Sequence, residues 1–116
     1  MATLQQLSDE YTDLQKKLQE VIEARQRLDA QLSENKAVQK EFASLDSDAN
    51  IYKLIGPTLI KQEKSEAIMN VDKRLDFIEK EIKRIEGQIT EFSEISEKKK
   101  GEIMQLQMQS QAQGQS

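Results

Sequence analysis

Residues 50–62, "NIYKLIGPTLIKQ", decide the fold of this 116-residue chain. The run Ile51-Tyr52-Lys53-Leu54-Ile55 is rich in β-formers, Gly56-Pro57 interrupts it, and Thr58-Leu59-Ile60-Lys61-Gln62 resumes it. Strand alternation sends Ile51, Lys53 and Ile55 to one side and Tyr52 and Leu54 to the other. On the second run Leu59 and Lys61 oppose Thr58 and Ile60. Glycine supplies the unusual φ of a tight reversal, and proline cannot continue a central ladder. The pattern predicts a β-hairpin turning at Gly56-Pro57.

Outward from this stretch the period changes from two to seven. With heptad position a at Leu4, the a series reads Leu4, Tyr11, Leu18, Arg25, Leu32, Gln39 and the d series Leu7, Leu14, Val21, Leu28, Asn35, Phe42. Most of these are aliphatic, Tyr11 and Phe42 add aromatic surface, and neither glycine nor proline precedes Gly56. On the far side Ile68, Leu75, Ile82, Ile89, Ser96 and Ile103 occupy a, while Val71, Ile78, Ile85, Phe92, Lys99 and Leu106 occupy d. Sustained a/d stripes of this kind mark a coiled coil. Ser65 is the expected N-cap of the second helix, with Glu66 well placed in its first turn. The organisation expected is therefore helix 1 over residues 1–45, a hairpin segment over 46–65, helix 2 over 66–108, and a disordered Gln/Ser-rich tail over 109–116.

Composition agrees with a mainly α chain. One third of the residues are charged and only 4% are aromatic, too little large apolar surface for a layered core. Seventeen basic and 21 acidic residues are interspersed, for a net charge of −4, so bulk electrostatics do not favour nucleic acid. The run Lys98-Lys99-Lys100 reads as a solvated helix face. Cysteine and histidine are both absent, which removes thiolate metal sites and the commonest general base and metal ligand. Carboxylates such as Glu79, Glu81 and Glu86 lie off the seam on solvated faces, with no cleft to gather them for catalysis. No apolar run approaches the ~20 residues of a membrane span, and a cytoplasmic protein without cofactors is expected.

Two stripes of similar length should fold back as an antiparallel hairpin of helices. Pairing centred on residue 55 sets Phe42 against Ile68, Leu32 against Ile78, Leu18 against Phe92 and Leu4 against Leu106. Sliding by one heptad sets Leu14 against Ile89 and Tyr11 against Phe92 instead. The sequence leaves both open. In either, residues 1–14 and 96–108 match poorly, leaving Leu4, Leu7, Ile103, Met104, Leu106 and Met108 short of partners. Arg25, Asn35 and Gln39 are polar seam residues of the kind that set register.

An isolated two-stranded hairpin is marginal in water, and this one is apolar on both faces with unpaired edges. Ile51, Tyr52, Leu54, Ile55, Leu59 and Ile60 are accordingly expected to assemble with strands of other subunits in a shared sheet or barrel. The plainer reading is a small cap folded onto its own helices.

A helix, then "NIYKLIGPTLIKQE", then "EAIMNVDKRLDFIEKEIKRIE" resembles the β-class subunits of prefoldin, and within them the eukaryotic subunit-six branch. The resemblance covers nearly the whole chain up to about Gln109. Its most specific part is Tyr52-Lys53-Leu54-Ile55-Gly56-Pro57 with Lys61-Gln62, followed by Asn70-Val71 and Lys73-Arg74-Leu75.

The resemblance implies a heterohexamer of two α-class and four β-class subunits, in which this chain joins two α-class and three further β-class partners. Their hairpins form a β-barrel body from which coiled coils hang. It also implies ATP-independent capture of unfolded proteins, actin and tubulin among them, and delivery to the cytosolic group II chaperonin. No nucleic acid or membrane partner is implied. On that reading Leu4, Leu7, Ile103, Met104, Leu106 and Met108 form the client-binding end, with flexible methionines suited to varied apolar sequences. Ser96, Lys99 and Gly101 would keep that end from zipping shut. The alternative from another class is a passive coiled-coil scaffold or tether without client binding.

Overall fold

Thr3 opens the first helix with a reciprocal cap. Its Oγ1 accepts from the Gln6 backbone N–H at 3.1 Å, and its own N–H donates to Gln6 Oε1 at 2.9 Å. This T-x-x-Q exchange satisfies donors that every helix start leaves orphaned. Helix α1 then runs Leu4–Ser44, a stretch free of glycine and proline. Strands β1 (Ile51–Ile55) and β2 (Thr58–Gln62) follow, and α2 spans Lys64–Gly114. The computed structural model describes residues 3–46 and 49–114. Parts of the expected helix 1 (1–2), hairpin segment (47–48) and tail (115–116) lie outside the described residues.

The strands pair antiparallel in the expected alternation, with Tyr52 opposite Lys61, Lys53 opposite Ile60 and Leu54 opposite Leu59. Gly56 takes φ 59°, and Pro57, whose ring holds φ negative, follows it. A positive φ followed by a negative one in a two-residue loop is the sign pattern of a type II′ turn, which matches strand twist.

Two expectations at the ends of α2 need correction. The Ala67 N–H donates to the Glu63 carbonyl at 2.9 Å, so the helix starts at Lys64 and Ser65 lies within its first turn instead of capping it. Residues 109–114, expected to be disordered, continue the helix. Gln, Met and Ala are good helix formers, and no proline follows Pro57 to stop the backbone ladder.

The chain divides into two units. One comprises Gln26–Lys83 and carries the hairpin; the other comprises Met1–Arg25 with Arg84–Ser116. In the hairpin unit the α2 seam residues Val71, Leu75, Ile78 and Ile82 are buried, as is Ala67, while Leu28, Leu32 and Phe42 of α1 are half-buried. Gln39 Nε2 donates to Asp72 Oδ1 at 2.9 Å. Lys64 Nζ donates to the carbonyls of Leu45 at 2.8 Å and Asp46 at 3.2 Å, setting a cation just beyond the α1 C-terminus where the macrodipole is negative.

In the other unit Leu7, Ile85 and Ser96 are buried. Arg25 meets Glu86 at 2.6 Å, Gln15 donates to Ser96, and Lys99 donates to Glu10 at 2.5 Å. Within each unit the partners in these cross-helix pairs stand equally far from residue 55 to within one position. The register centred on residue 55 is therefore the one adopted, and a one-heptad slide would have set Arg25 against Ile78. Polar pairing favours it over the slide, which would face the Arg25 guanidinium with an aliphatic side chain instead of the Glu86 carboxylate.

Candidate functional site

Two surfaces carry the residues singled out in the sequence, one in each unit. The first is the hairpin. Tyr52, Leu54, Ile55, Leu59 and Ile60 are all exposed, Leu54 by 67% and Leu59 by 63%. The directly opposed Leu54 and Leu59 lie on one face with Tyr52, whereas Ile55 and Ile60 lie on the other. Both faces therefore present apolar side chains to water, and each strand of the two-stranded sheet keeps an unpaired edge. Ile51 differs from the rest. It is 8% exposed and lines a recess with Val38, Phe42, Ala67 and Val71, so it fastens the base of the hairpin to its own helices. Unlike the other assembly candidates it is not exposed in the chain by itself, because the first strand residue lies close enough to the helices to be covered by them.

The second surface is where the start of α1 meets the end of α2. Leu4, Met104 and Met108 are exposed, Met108 by 68%, and Ile103 and Leu106 are half-buried. Leu7 is only 4% exposed, contrary to expectation. The adopted register brings it under cover, and it belongs to the core of this unit. Nor do Ser96 and Lys99 hold the helices apart. Buried Ser96 accepts a hydrogen bond from Gln15 Nε2, and Lys99 pairs with Glu10, so both fasten the two helices. That hydrogen bond raises the Lys99 ammonium above its ordinary value; desolvation opposes it, and the charges of Glu10 and Glu102 add to it.

Of the polar seam residues, Arg25 and Gln39 bond across to α2, whereas Asn35 Nδ2 donates back to the Gln31 carbonyl of its own helix at 2.7 Å. Arg25 Nε is buried without a hydrogen-bond partner. Two recesses flank the seam in the unit of the helix ends. One, of about 310 Å³, is lined by Glu10, Asp13, Leu14, Lys17, Ile95 and Lys99. The other, of about 280 Å³, is lined by Ser8, Tyr11, Thr12, Lys100, Ile103 and Met104. Sequence reasoning missed Ser8, Thr12 and Lys100; the signal available was their i, i+3, i+4 spacing with Tyr11 and Met104 along the flank of the stripe. Among the described residues, no helix is long and apolar enough to cross a membrane.

A hairpin inserted between two heptad helices, with both of its faces open, is a narrow architectural type, and comparison with known proteins identifies it. The family model described as Prefoldin subunit matches residues 5–110. The chain belongs to the prefoldin subunit family. It is 48% identical over 103 residues to Prefoldin subunit 6 of Saccharomyces cerevisiae, covering 89% of this chain and 90% of that protein. Against Prefoldin subunit 6 of Homo sapiens the identity is 45% over 101 residues, 87% of this chain and 78% of the relative. The prefoldin beta subunit from Thermococcus strain KS-1 superposes with a TM-score of 0.81 at 24% identity, over 89% of this chain and 90% of that one, and shows the shared fold. The beta2 subunit of the same strain gives 0.67 at 25% identity, over 78% and 97% respectively. The β-class resemblance read from "NIYKLIGPTLIKQE" thus holds across the chain, and with it the assignment as a prefoldin chaperone subunit.

Proposed function

We propose that the chain joins other prefoldin subunits through its hairpin and holds unfolded polypeptide at the ends of its helices without nucleotide. Five large apolar side chains, Tyr52, Leu54, Ile55, Leu59 and Ile60, stand exposed on the two faces of a sheet with open edges, and this observation carries the reading. Burying them intramolecularly would require a layer that a hairpin of ten strand residues does not possess. Strands from two α-class and three further β-class subunits would supply that layer as a common barrel.

For the helix ends, Leu4, Met104 and Met108 offer apolar contact, with Ile103 and Leu106 behind them and Leu7 supporting from the core. Several such weak contacts on neighbouring subunits would add through effective concentration. Clients of this kind include nascent actin and tubulin, which the assembly would hand to the cytosolic group II chaperonin.

The test is to assemble the hexamer with this chain cut before residue 10 and after residue 98. The shortened chain is expected to enter the hexamer as the full one does, yet to lose its share of suppression of actin aggregation in the absence of ATP. Undiminished protection would place the client site elsewhere. A passive scaffold would give no suppression with either form.

A further inference from the structure

The recess lined by Ser8, Tyr11, Thr12, Lys100, Ile103 and Met104 is built from two matching triads, each spaced i, i+3, i+4 along its helix. Ile103 is half-buried, Met104 is exposed by 54%, and the half-buried ring of Tyr11 completes an apolar lining. Lys100 is the one charged residue of that lining. Among the described residues its ammonium has no hydrogen bond or ion pair, and neither does the Tyr11 hydroxyl. The recess on the other flank of the seam differs in kind. There Lys99 and Glu10 satisfy each other, and Asp13 and Lys17 add one charge of each sign.

We infer that the Tyr11–Lys100–Met104 recess accepts an apolar side chain of an unfolded polypeptide that has Asp or Glu beside it. The side chain would lie between Tyr11, Ile103 and Met104, while the neighbouring carboxylate meets Lys100 and the Tyr11 hydroxyl donates to the peptide backbone. Charge complementarity selects this occupant: an unpaired cation beside an apolar floor favours an anion next to an apolar group and disfavours a second cation. The inference rests on the client-holding reading and adds a preference to it.

Its test uses the full-length chain and three labelled ten-residue peptides, identical except that a central Phe is followed by Asp, Asn or Lys. Fluorescence anisotropy in low salt is expected to give three- to fivefold tighter binding of the Asp peptide than of the Asn peptide, as for a solvent-exposed ion pair. The Lys peptide should bind weakest, and the differences should shrink in high salt. Lys100→Gln should abolish the preference, whereas Lys98→Gln, outside the recess, should keep it. Equal binding of the three peptides by a chain that still suppresses aggregation would overturn the preference and leave the client-holding reading standing. Loss of preference in both lysine variants would also overturn it, by showing diffuse charge. If no peptide binds and no suppression occurs, both readings fall.

Discussion

Arg25 Nη2 lies 2.6 Å from Glu86 Oε1, and the two residues are equally distant from residue 55 to within one position. Their side chains are 40% and 46% exposed, so solvent screening holds the pair to less than about 1 kcal/mol. Arg25 also occupies a seam position and leaves its Nε buried without a partner. Its contribution is therefore to register more than to stability. Arg25→Leu is expected to raise the denaturation midpoint by an amount equivalent to about 1 kcal/mol. Glu86→Ala should lower it by less than about 1 kcal/mol. A drop with Arg25→Leu would show that the ion pair outweighs the apolar seam.

The hairpin separates folding from assembly residue by residue. Ile60→Asp and Ile55→Asp alter exposed side chains and are expected to leave helix content, read by circular dichroism, unchanged. Gel filtration with partner subunits should show both variants failing to enter the complex. Ile51→Ala instead empties a buried position and should destabilise the isolated chain by about 2 kcal/mol.

Gly56 and Gly87 are both open to an added Cβ, with nothing within 4 Å, yet alanine should act oppositely at the two sites. At Gly56 the backbone sits at φ 59°, so Gly56→Ala should cost about 1 kcal/mol. At Gly87, inside α2, Gly87→Ala should add about 1 kcal/mol through helix propensity. Urea denaturation of the two variants side by side checks the opposite signs.

The Lys99 ammonium has its pKa held above the ordinary value, first of all by its hydrogen bond to Glu10. A group whose pKa is higher folded than unfolded stabilises fully below the ordinary value of 10.5, and that contribution disappears as pH rises through the folded value. The pairing is thus expected to hold across neutral pH and, on the alkaline side, to fail only in strong alkali. A side-chain NMR titration should place the Lys99 midpoint above the ordinary value, and Glu10→Gln should bring it back down.

The type of every element was legible in the chain itself. Heptad periodicity announced the two helices, because an α-helix shows the same face every three to four residues. The break at Gly56-Pro57 between β-rich runs announced the hairpin, because few residues accept a positive φ there. Exposure of Tyr52, Leu54, Ile55, Leu59 and Ile60 was legible too, since ten strand residues cannot bury both faces of their own sheet. Tertiary structure decided the rest. Heptads repeat, so apolar matching alone tolerates a slide of one repeat. In the register adopted, Gln15 meets Ser96, Arg25 meets Glu86 and Gln39 meets Asp72. That register buries Leu7, turns Ser96 and Lys99 into fasteners, and brings Tyr11 and Lys100 to one recess. Periodicity is a property of one helix, whereas partnership depends on which side chains meet in space.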